Sequence, residues 1–310
     1  LETNTSGSVS EFILAFPCLR DIQFLLFVLF SIIYFLILMG KAAIICAVWS
    51  SWKLYTPMYI LLANFSFLEM CYFSSNVPKM LANLISQTTS ISYAGCLLQF
   101  YFFFFFMCVA ESLFLSVMSF DRFLAIPLHY PIIMTRRLCV LVVFCWAGGF
   151  LWLLTPLILI SEVPFCGPNT VDHFLCDLAH LLALSCAPVS GIRLICGIMS
   201  SLIIFLTLLY ILGTYFCVLN VVLRMSSGSG RQKAFSSCAS NLAVVSLFRG
   251  SVMVMYGSPG SGEYPGIQKF FYALATPFFN LLIYNFQNKD TEEALKNFLS
   301  VLLKEILKGS

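Results

Sequence analysis

Long apolar runs, separated by short polar segments, are the dominant pattern along the chain. A membrane-spanning helix needs about 20 mostly apolar residues, since each adds about 1.5 Å and the hydrocarbon layer is about 30 Å thick. Runs of suitable length occupy residues 23–49, 57–80, 91–126, 138–160, 192–223, 234–256 and 267–286. The pattern predicts an all-α fold, a seven-transmembrane helix bundle spanning residues 23–286 within a single domain, 1–310.

Composition agrees with a membrane protein and excludes a nucleic-acid-binding one. Hydrophobic residues make up 60% of the chain and charged residues 10%, and the mean hydropathy is +0.93. Soluble domains are about 45–50% apolar and about 25% charged. The net charge of +3 is too small to favour nucleic acid. The lipid bilayer is therefore the first predicted partner.

The basic residues predict the orientation of the bundle. If the amino terminus is extracellular, most of them fall on the inner side, as the positive-inside rule requires: Lys53, Arg122, Arg136, Arg137, Arg224, Arg231, Lys233, Lys289, Lys296, Lys304 and Lys308. The glycosylation sequon at Asn4 agrees with an extracellular segment 1–22. We therefore expect a multi-pass plasma-membrane protein with its amino terminus outside.

The cytoplasmic tail predicted for residues 287–310 has an amphipathic pattern. Its apolar side chains share one helical face, whereas lysines occupy other positions: Leu295, Phe298, Leu299, Leu302 and Leu303. Such a helix lies in the membrane interface rather than across the bilayer. The tail is therefore predicted to carry an interfacial helix on the inner leaflet.

Charged residues within the apolar runs are candidates for function. Asp121 and Arg122 stand side by side where the third run leaves the bilayer, which indicates a latch on the cytoplasmic face. Lys41, Glu69 and Glu111 lie within runs, as does Arg249. A charge at bilayer depth costs about 2.5–3.5 kcal/mol or more, so each needs a partner.

Four of the thirteen cysteines fall near run ends or in the long polar loop 161–188: Cys96, Cys166, Cys176 and Cys186. In an oxidising compartment they are a candidate disulfide set, and the sequence leaves three pairings open. His173 and His180 also flank Cys176 with a metal-like spacing. We favour solvent-exposed histidines over a metal site, because a disulfide would occupy the cysteine.

Several motifs occur in a specific order along the chain: residues 54–59 (LYTPMY), 118–123 (MSFDRF), 127–130 (PLHY), 166–177, 233–238 (KAFSSC) and 277–284 (PFFNLLIY). Together they resemble the olfactory (odorant) receptors, a family of rhodopsin-like, class A G-protein-coupled receptors. The resemblance extends over about residues 11–296. It implies a receptor rather than an enzyme.

The resemblance implies disulfides Cys96–Cys176 and Cys166–Cys186 and a pocket for a small, mostly apolar odorant. On the third span, helical spacing places Phe104, Cys108 and Ser112 on one face. The whole predicted ligand set is Phe104, Phe105, Cys108, Val109, Ser112, Met199, Ser200, Ile203, Arg249, Val252 and Tyr256.

The resemblance also implies a switch that couples the pocket to a stimulatory or olfactory-type G protein α subunit. The residues implied are Asp121, Arg122, Tyr215, Asn280 and Tyr284. An odorant would shift the population towards a state in which the inner end of span six swings outward. No catalytic residue and no cofactor is predicted.

Two cations depart from the family pattern and suggest a rewired core. Lys41 stands where the family has Asn, and Arg249 where it has Tyr. The family's acids, at Glu69 and Glu111 here, can hold a sodium ion. We hypothesise that Lys41 pairs with Glu69 and Arg249 with Glu111, which makes a bound sodium ion unexpected.

Other departures leave two alternative functions open. The loop after Ile126 is shorter than in the family, Asn241 replaces a His and Leu281 replaces a Pro. A receptor-fold protein with impaired or absent signalling is therefore one alternative. A transporter or channel lined by the four core charges is the other, and it is less favoured because the chain lacks an inverted repeat.

Overall fold

The structure is a computed structural model, and not every residue is described in it. The described residues are 11–14, 20–50, 56–86, 90–104, 109–125, 134–165, 170–171, 176, 178–224, 231–232, 235, 238–239, 242–247 and 250. The seventh apolar run, the predicted interfacial helix and much of the sixth run lie outside this set. Every structural statement below concerns the described residues.

Helices make up most of the described chain: α1 (Arg20–Ser50), α2 (Pro57–Ile85), α3 (Tyr93–Phe104), α4 (Glu111–Ala125), α5 (Met134–Ser161), α6 (Leu178–Ala183) and α7 (Ser190–Leu223). Within the described residues, three stretches are long and apolar enough to cross a membrane: Ile22–Ser50, Arg137–Ser161 and Ser190–Leu223. Residues 242–247, in the sixth run, are also helical.

Proline positions explain local features of α2. Pro57 lies in the first turn, where a helix needs no backbone N–H donor. Pro78 lies inside the helix, so the carbonyl of Ser74 loses its usual partner and the ring favours a kink. The helix then ends at Ile85, because Ser86 is extended.

The third apolar run is not the single regular helix that the sequence predicts. Strand β2 (Ser90–Ser92) precedes α3, which ends at Phe104. Val109 and Ala110 form a π-helical turn before α4 begins at Glu111. A π turn inserts an extra residue, so it rotates the side chains that follow relative to those before it.

Packing places α2 near the centre of the described bundle. It packs against α1, α3, α4 and α5, and α4 packs against α7. Large side chains with no exposed surface fill these contacts, among them Phe30, Phe65 and Phe114. Many apolar side chains on the outer faces are exposed, as expected where lipid covers the protein.

A small sheet that the sequence does not predict lies at one end of the bundle. Strand β1 (Glu11–Leu14) pairs antiparallel with β2 and parallel with β3 (Thr170–Val171). The register sets Phe12 opposite Ile91 and Ile13 opposite Thr170. The segment ahead of α1 is thereby joined to the segments ahead of α3 and after α5.

Candidate functional site

A disulfide fixes one end of the bundle. Cys96, in the first turn of α3, is bonded to Cys176, and their Cα atoms are 5.5 Å apart. The backbone N–H of Cys176 also donates to Oε1 of Gln99 at 3.4 Å. Leu181 and Leu182 of α6 are buried beside this loop in the hydrophobic core. The loop after α5 is therefore anchored onto α3, and this end is called the disulfide end.

The other predicted disulfide is described at one partner only. Cys186 is disulfide-bonded, and its predicted partner, Cys166, lies outside the described residues. Since Cys176 is already bonded to Cys96, it has no thiolate to offer a metal. The alternative of a metal site at His173 and His180 therefore loses its central ligand.

The described members of the predicted ligand set lie in the third apolar run and on α7. Val109 and Ser112 are buried, with Ser112 wholly inaccessible. Met199, Ser200 and Ile203 are half-buried on α7, which packs directly against α4. Phe104 is the last residue of α3. The remaining predicted members lie outside the described residues: Phe105, Cys108, Arg249, Val252 and Tyr256.

A buried ion pair joins the first two helices, as hypothesised from the sequence. Nζ of Lys41, on α1, bonds Oε2 of Glu69, on α2, and neither side chain has any exposed surface. The ammonium also lies 5.9 Å from the ring centroid of Phe65. The pair neutralises both charges inside the bundle and ties α1 to α2.

The second hypothesised pair is described at one partner only. Glu111 is the first residue of α4 and is 3% exposed, so its carboxylate is held within the bundle close to the π turn. Arg249 lies outside the described residues. The Arg249–Glu111 pair stays a prediction.

The predicted switch lies at the opposite end, which is called the Arg122 end. Asp121 is buried in the last turn of α4, and Arg122 beside it is half-buried. Cys238, in the sixth apolar run, is half-buried.

A polar contact holds α4 against α7 next to the switch. The hydroxyls of Ser119 and Thr214 lie 3.1 Å apart. Tyr215 follows Thr214, is half-buried and packs against the core. The two remaining switch residues, Asn280 and Tyr284, lie outside the described residues, as does the sequon at Asn4.

Three buried amide side chains were not predicted from the sequence. Asn76 and Asn83 on α2 and Gln99 on α3 are buried, and each keeps one polar atom without a hydrogen bond in the described structure. The available signal was the spacing in α2, where polar residues recur every seven positions at Glu69, Asn76 and Asn83. Such spacing places them on one helical face.

Comparison with a solved structure identifies the architecture. Squid rhodopsin superposes with a TM-score of 0.65 at 16% sequence identity, covering 94% of this chain and 91% of that chain. An identity this low shows the fold alone. The fold is therefore the seven-transmembrane helix bundle predicted from the apolar runs, and its interfacial helix stays a prediction.

Comparison with sequences identifies the family. The olfactory receptor family profile matches residues 30–301. Human olfactory receptor 11G2 is 54% identical over 302 residues, which cover 96% of this chain and 87% of the relative. Human olfactory receptor 11H12 is 53% identical over 306 residues, which cover 96% of this chain and 94% of the relative. The chain belongs to the olfactory receptor family of class A G-protein-coupled receptors, and it is a membrane receptor rather than an enzyme.

Proposed function

We propose that this odorant receptor binds a small, mostly apolar molecule at the disulfide end and activates a stimulatory, olfactory-type G protein at the Arg122 end. The observation that carries the proposal is the placement of the two ends on one span. Arg122 follows Cys96 by 26 residues along the third apolar run, and a run of that length is enough to cross the bilayer. A single span thus reaches from the loop over the pocket to the latch.

The chemistry of the predicted pocket wall supports an apolar ligand. Val109 and Ile203 are aliphatic, and Ser112 carries one hydroxyl, which is fully buried in this structure. Walls of this kind bind by area and shape, with one or two hydrogen bonds that fix the ligand's orientation. The anchored loop at Cys176 keeps water from the ligand and limits its size.

The Arg122 end supports a switch that depends on span six. Arg122 follows the buried Asp121 in the last turn of α4, and we infer that a movement of span six changes the surroundings of its guanidinium. An odorant that binds the outward-swung arrangement more tightly shifts the population towards it. The released Arg122 then meets Tyr215, and the opened cleft receives the G protein.

The proposal includes an orientation and the absence of a bound sodium ion. The disulfide end faces the outside and the Arg122 end the cytoplasm, in agreement with the distribution of basic residues. The Lys41 ammonium already occupies an oxygen of Glu69. A second cation there would be repelled, so these residues do not fit a resident sodium ion.

We expect cells that express the full chain to raise cAMP when they are exposed to a broad panel of small odorants. Binding at the disulfide end releases the latch, and a stimulatory G protein then activates cyclase. Surface staining is measured in the same cells, and cells without the receptor serve as the control. Silence to every odorant despite surface expression would refute signalling.

A receptor that binds ligands without signalling is the second candidate. The observation that favours it is the Lys41–Glu69 pair, because a closed ion pair stiffens the contact between α1 and α2. The same cAMP panel separates the two candidates.

Replacing Asp121 by asparagine should raise the basal cAMP level about twofold or more. The change removes the carboxylate charge next to Arg122, so under the proposed switch the released state becomes more populated without an odorant. A loss of about 1 kcal/mol from the latch shifts the ratio of the two states about fivefold. Basal cAMP, normalised to surface expression, is the measurement. Asp121→Glu keeps the charge and should match the parent; equal basal levels in both variants would count against the latch.

A further inference from the structure

Two asparagines of α2 face the interior of the bundle at the disulfide end. Ser74, Pro78 and Ile85 are exposed. Asn76 lies two residues from Ser74 and Pro78, and Asn83 lies two residues from Ile85, so each points about 200° away from the exposed face. Their exposed fractions of 2% and 5% agree with an inward position.

The side-chain hydrogen bonds of Asn76 involve only its amide nitrogen. Its amide nitrogen donates to the carbonyl of Tyr72 and to the hydroxyl of Ser75, both at 2.8 Å. These acceptors fix the orientation of the amide, because only its nitrogen can donate. Its oxygen, Oδ1, is buried and has no hydrogen bond in the described structure.

Gln99 shows the complementary arrangement on α3. Its oxygen accepts from the backbone N–H of Cys176, so its orientation is also fixed. The amide nitrogen, Nε2, then remains as a donor, and it has no bond within the described part of the chain. Nδ2 of Asn83 is also buried without a hydrogen bond in the described structure. Gln99 is 6% exposed.

Buried donors and acceptors that lack a hydrogen bond are candidates for binding another molecule. A buried donor or acceptor without a partner destabilises a protein, and native structures satisfy nearly all of them. Here one acceptor and two donors lie on α2 and α3, which pack against each other. Gln99 lies next to the loop that Cys176 anchors, because its side chain accepts from the backbone of Cys176.

We propose that Asn76, Asn83 and Gln99 form a polar subsite for the hydroxyl group of a small amphipathic alcohol. The proposal rests on the proposed function and specifies its ligand class. The alcohol O–H donates to Oδ1 of Asn76, while an oxygen of the ligand accepts from Nε2 of Gln99 or Nδ2 of Asn83. The apolar chain extends towards the wall formed by α4 and α7.

The combination of groups selects against other ligand classes. An aldehyde or ketone can only accept, so Oδ1 of Asn76 would stay unpaired. A carboxylate would set a negative oxygen against that acceptor. A hydrocarbon would leave all of the open atoms unsatisfied. Sites built to bond a hydroxyl discriminate strongly against analogues that lack it.

Binding is tested on the purified full-length receptor in lipid nanodiscs, without any signalling step. The probes are primary alcohols of four to ten carbons and aldehydes of matched length. We expect one or more alcohols to raise the thermal unfolding midpoint, at concentrations at least tenfold lower than the matched aldehyde. If no alcohol shifts the midpoint, or if aldehydes act equally well, the proposal is wrong.

Two separate substitutions test whether the subsite causes the preference for alcohols over aldehydes. Asn76→Leu and Gln99→Leu should each remove the tenfold preference for the alcohol. Asn64→Leu is the matched control, because Asn64 bonds the carbonyl of Ile60 on the same helix, in a groove with the exposed Phe67. It should keep the preference. A preference retained in both subsite variants would show that water alone occupies these amides.

The same variants separate this inference from the proposed function. Alcohol binding without any cAMP response would refute signalling and leave the subsite standing. A cAMP response to odorants that shows no alcohol preference, together with unchanged Asn76→Leu and Gln99→Leu variants, would refute the subsite and leave the receptor function standing.

Discussion

The Lys41→Met receptor is expected to lose about 3–5 kcal/mol of folding stability and to reach the cell surface poorly. Methionine keeps the length and apolar character of the stem, so the packing of α1 changes little. The change instead removes the cation paired with the carboxylate of Glu69, which has no exposed surface. A buried charge without its partner is among the costliest single defects in a membrane protein. Surface staining and the thermal unfolding midpoint of the purified receptor measure the loss.

The double variant Lys41→Met with Glu69→Leu provides the decisive comparison. It removes both charges, so it should recover much of the stability that either single change removes. Lys79→Met is the matched control, since Nζ of this half-buried lysine bonds only the carbonyl of Ser90 at 2.7 Å in the described structure. It should cost about 1 kcal/mol. If Lys41→Met behaved like Lys79→Met, the ion pair would not be a source of stability.

The lengths of the apolar runs and the positions of the charged residues predicted most of the fold. α1, α2, α5 and α7 follow the predicted apolar runs closely, because a bilayer imposes a minimum length on each span. The Lys41–Glu69 pair could also be predicted, since a charge inside hydrocarbon requires a partner on a neighbouring helix. In both cases a strong physical constraint produces a feature that can be recognised in the sequence.

The sheet at the disulfide end could not be predicted in the same way. β1 has four residues and β2 has three, and their partners are distant in sequence. Such short segments carry no periodicity strong enough to identify a strand. The contact between Gln99 and Cys176 likewise spans 77 residues. Both features arise when the bundle brings distant loops together.

The predicted pocket shows how a local irregularity limits sequence reasoning. The four-residue spacing of Phe104, Cys108 and Ser112 assumes a regular α-helix. The π turn at Val109 and Ala110 adds a residue before Ser112. It therefore rotates Ser112 relative to Phe104, and the two need not share the face that the spacing predicts. No sequence pattern in this run distinguishes a π turn from an α turn.

Breaking the Cys96–Cys176 disulfide should destabilise the receptor by about 2–5 kcal/mol. The bond closes a loop of 80 residues, for which chain entropy alone gives about 4.5 kcal/mol at 25 °C. Its loss also frees the loop that Gln99 helps to hold. Cys96→Ser and Cys176→Ser should each lower the thermal unfolding midpoint, and odorant responses should weaken because the loop no longer covers the pocket.

The double variant distinguishes a disulfide from two independent buried cysteines. Either single change already removes the bond, so Cys96→Ser combined with Cys176→Ser should cost no more than about one of them alone. Independent effects would instead add. Cys139→Ser is the control, because Cys139 is a free, exposed cysteine of α5, and it should leave the midpoint unchanged. Additive losses, or losses no larger than that of Cys139→Ser, would contradict a disulfide that anchors the loop onto α3.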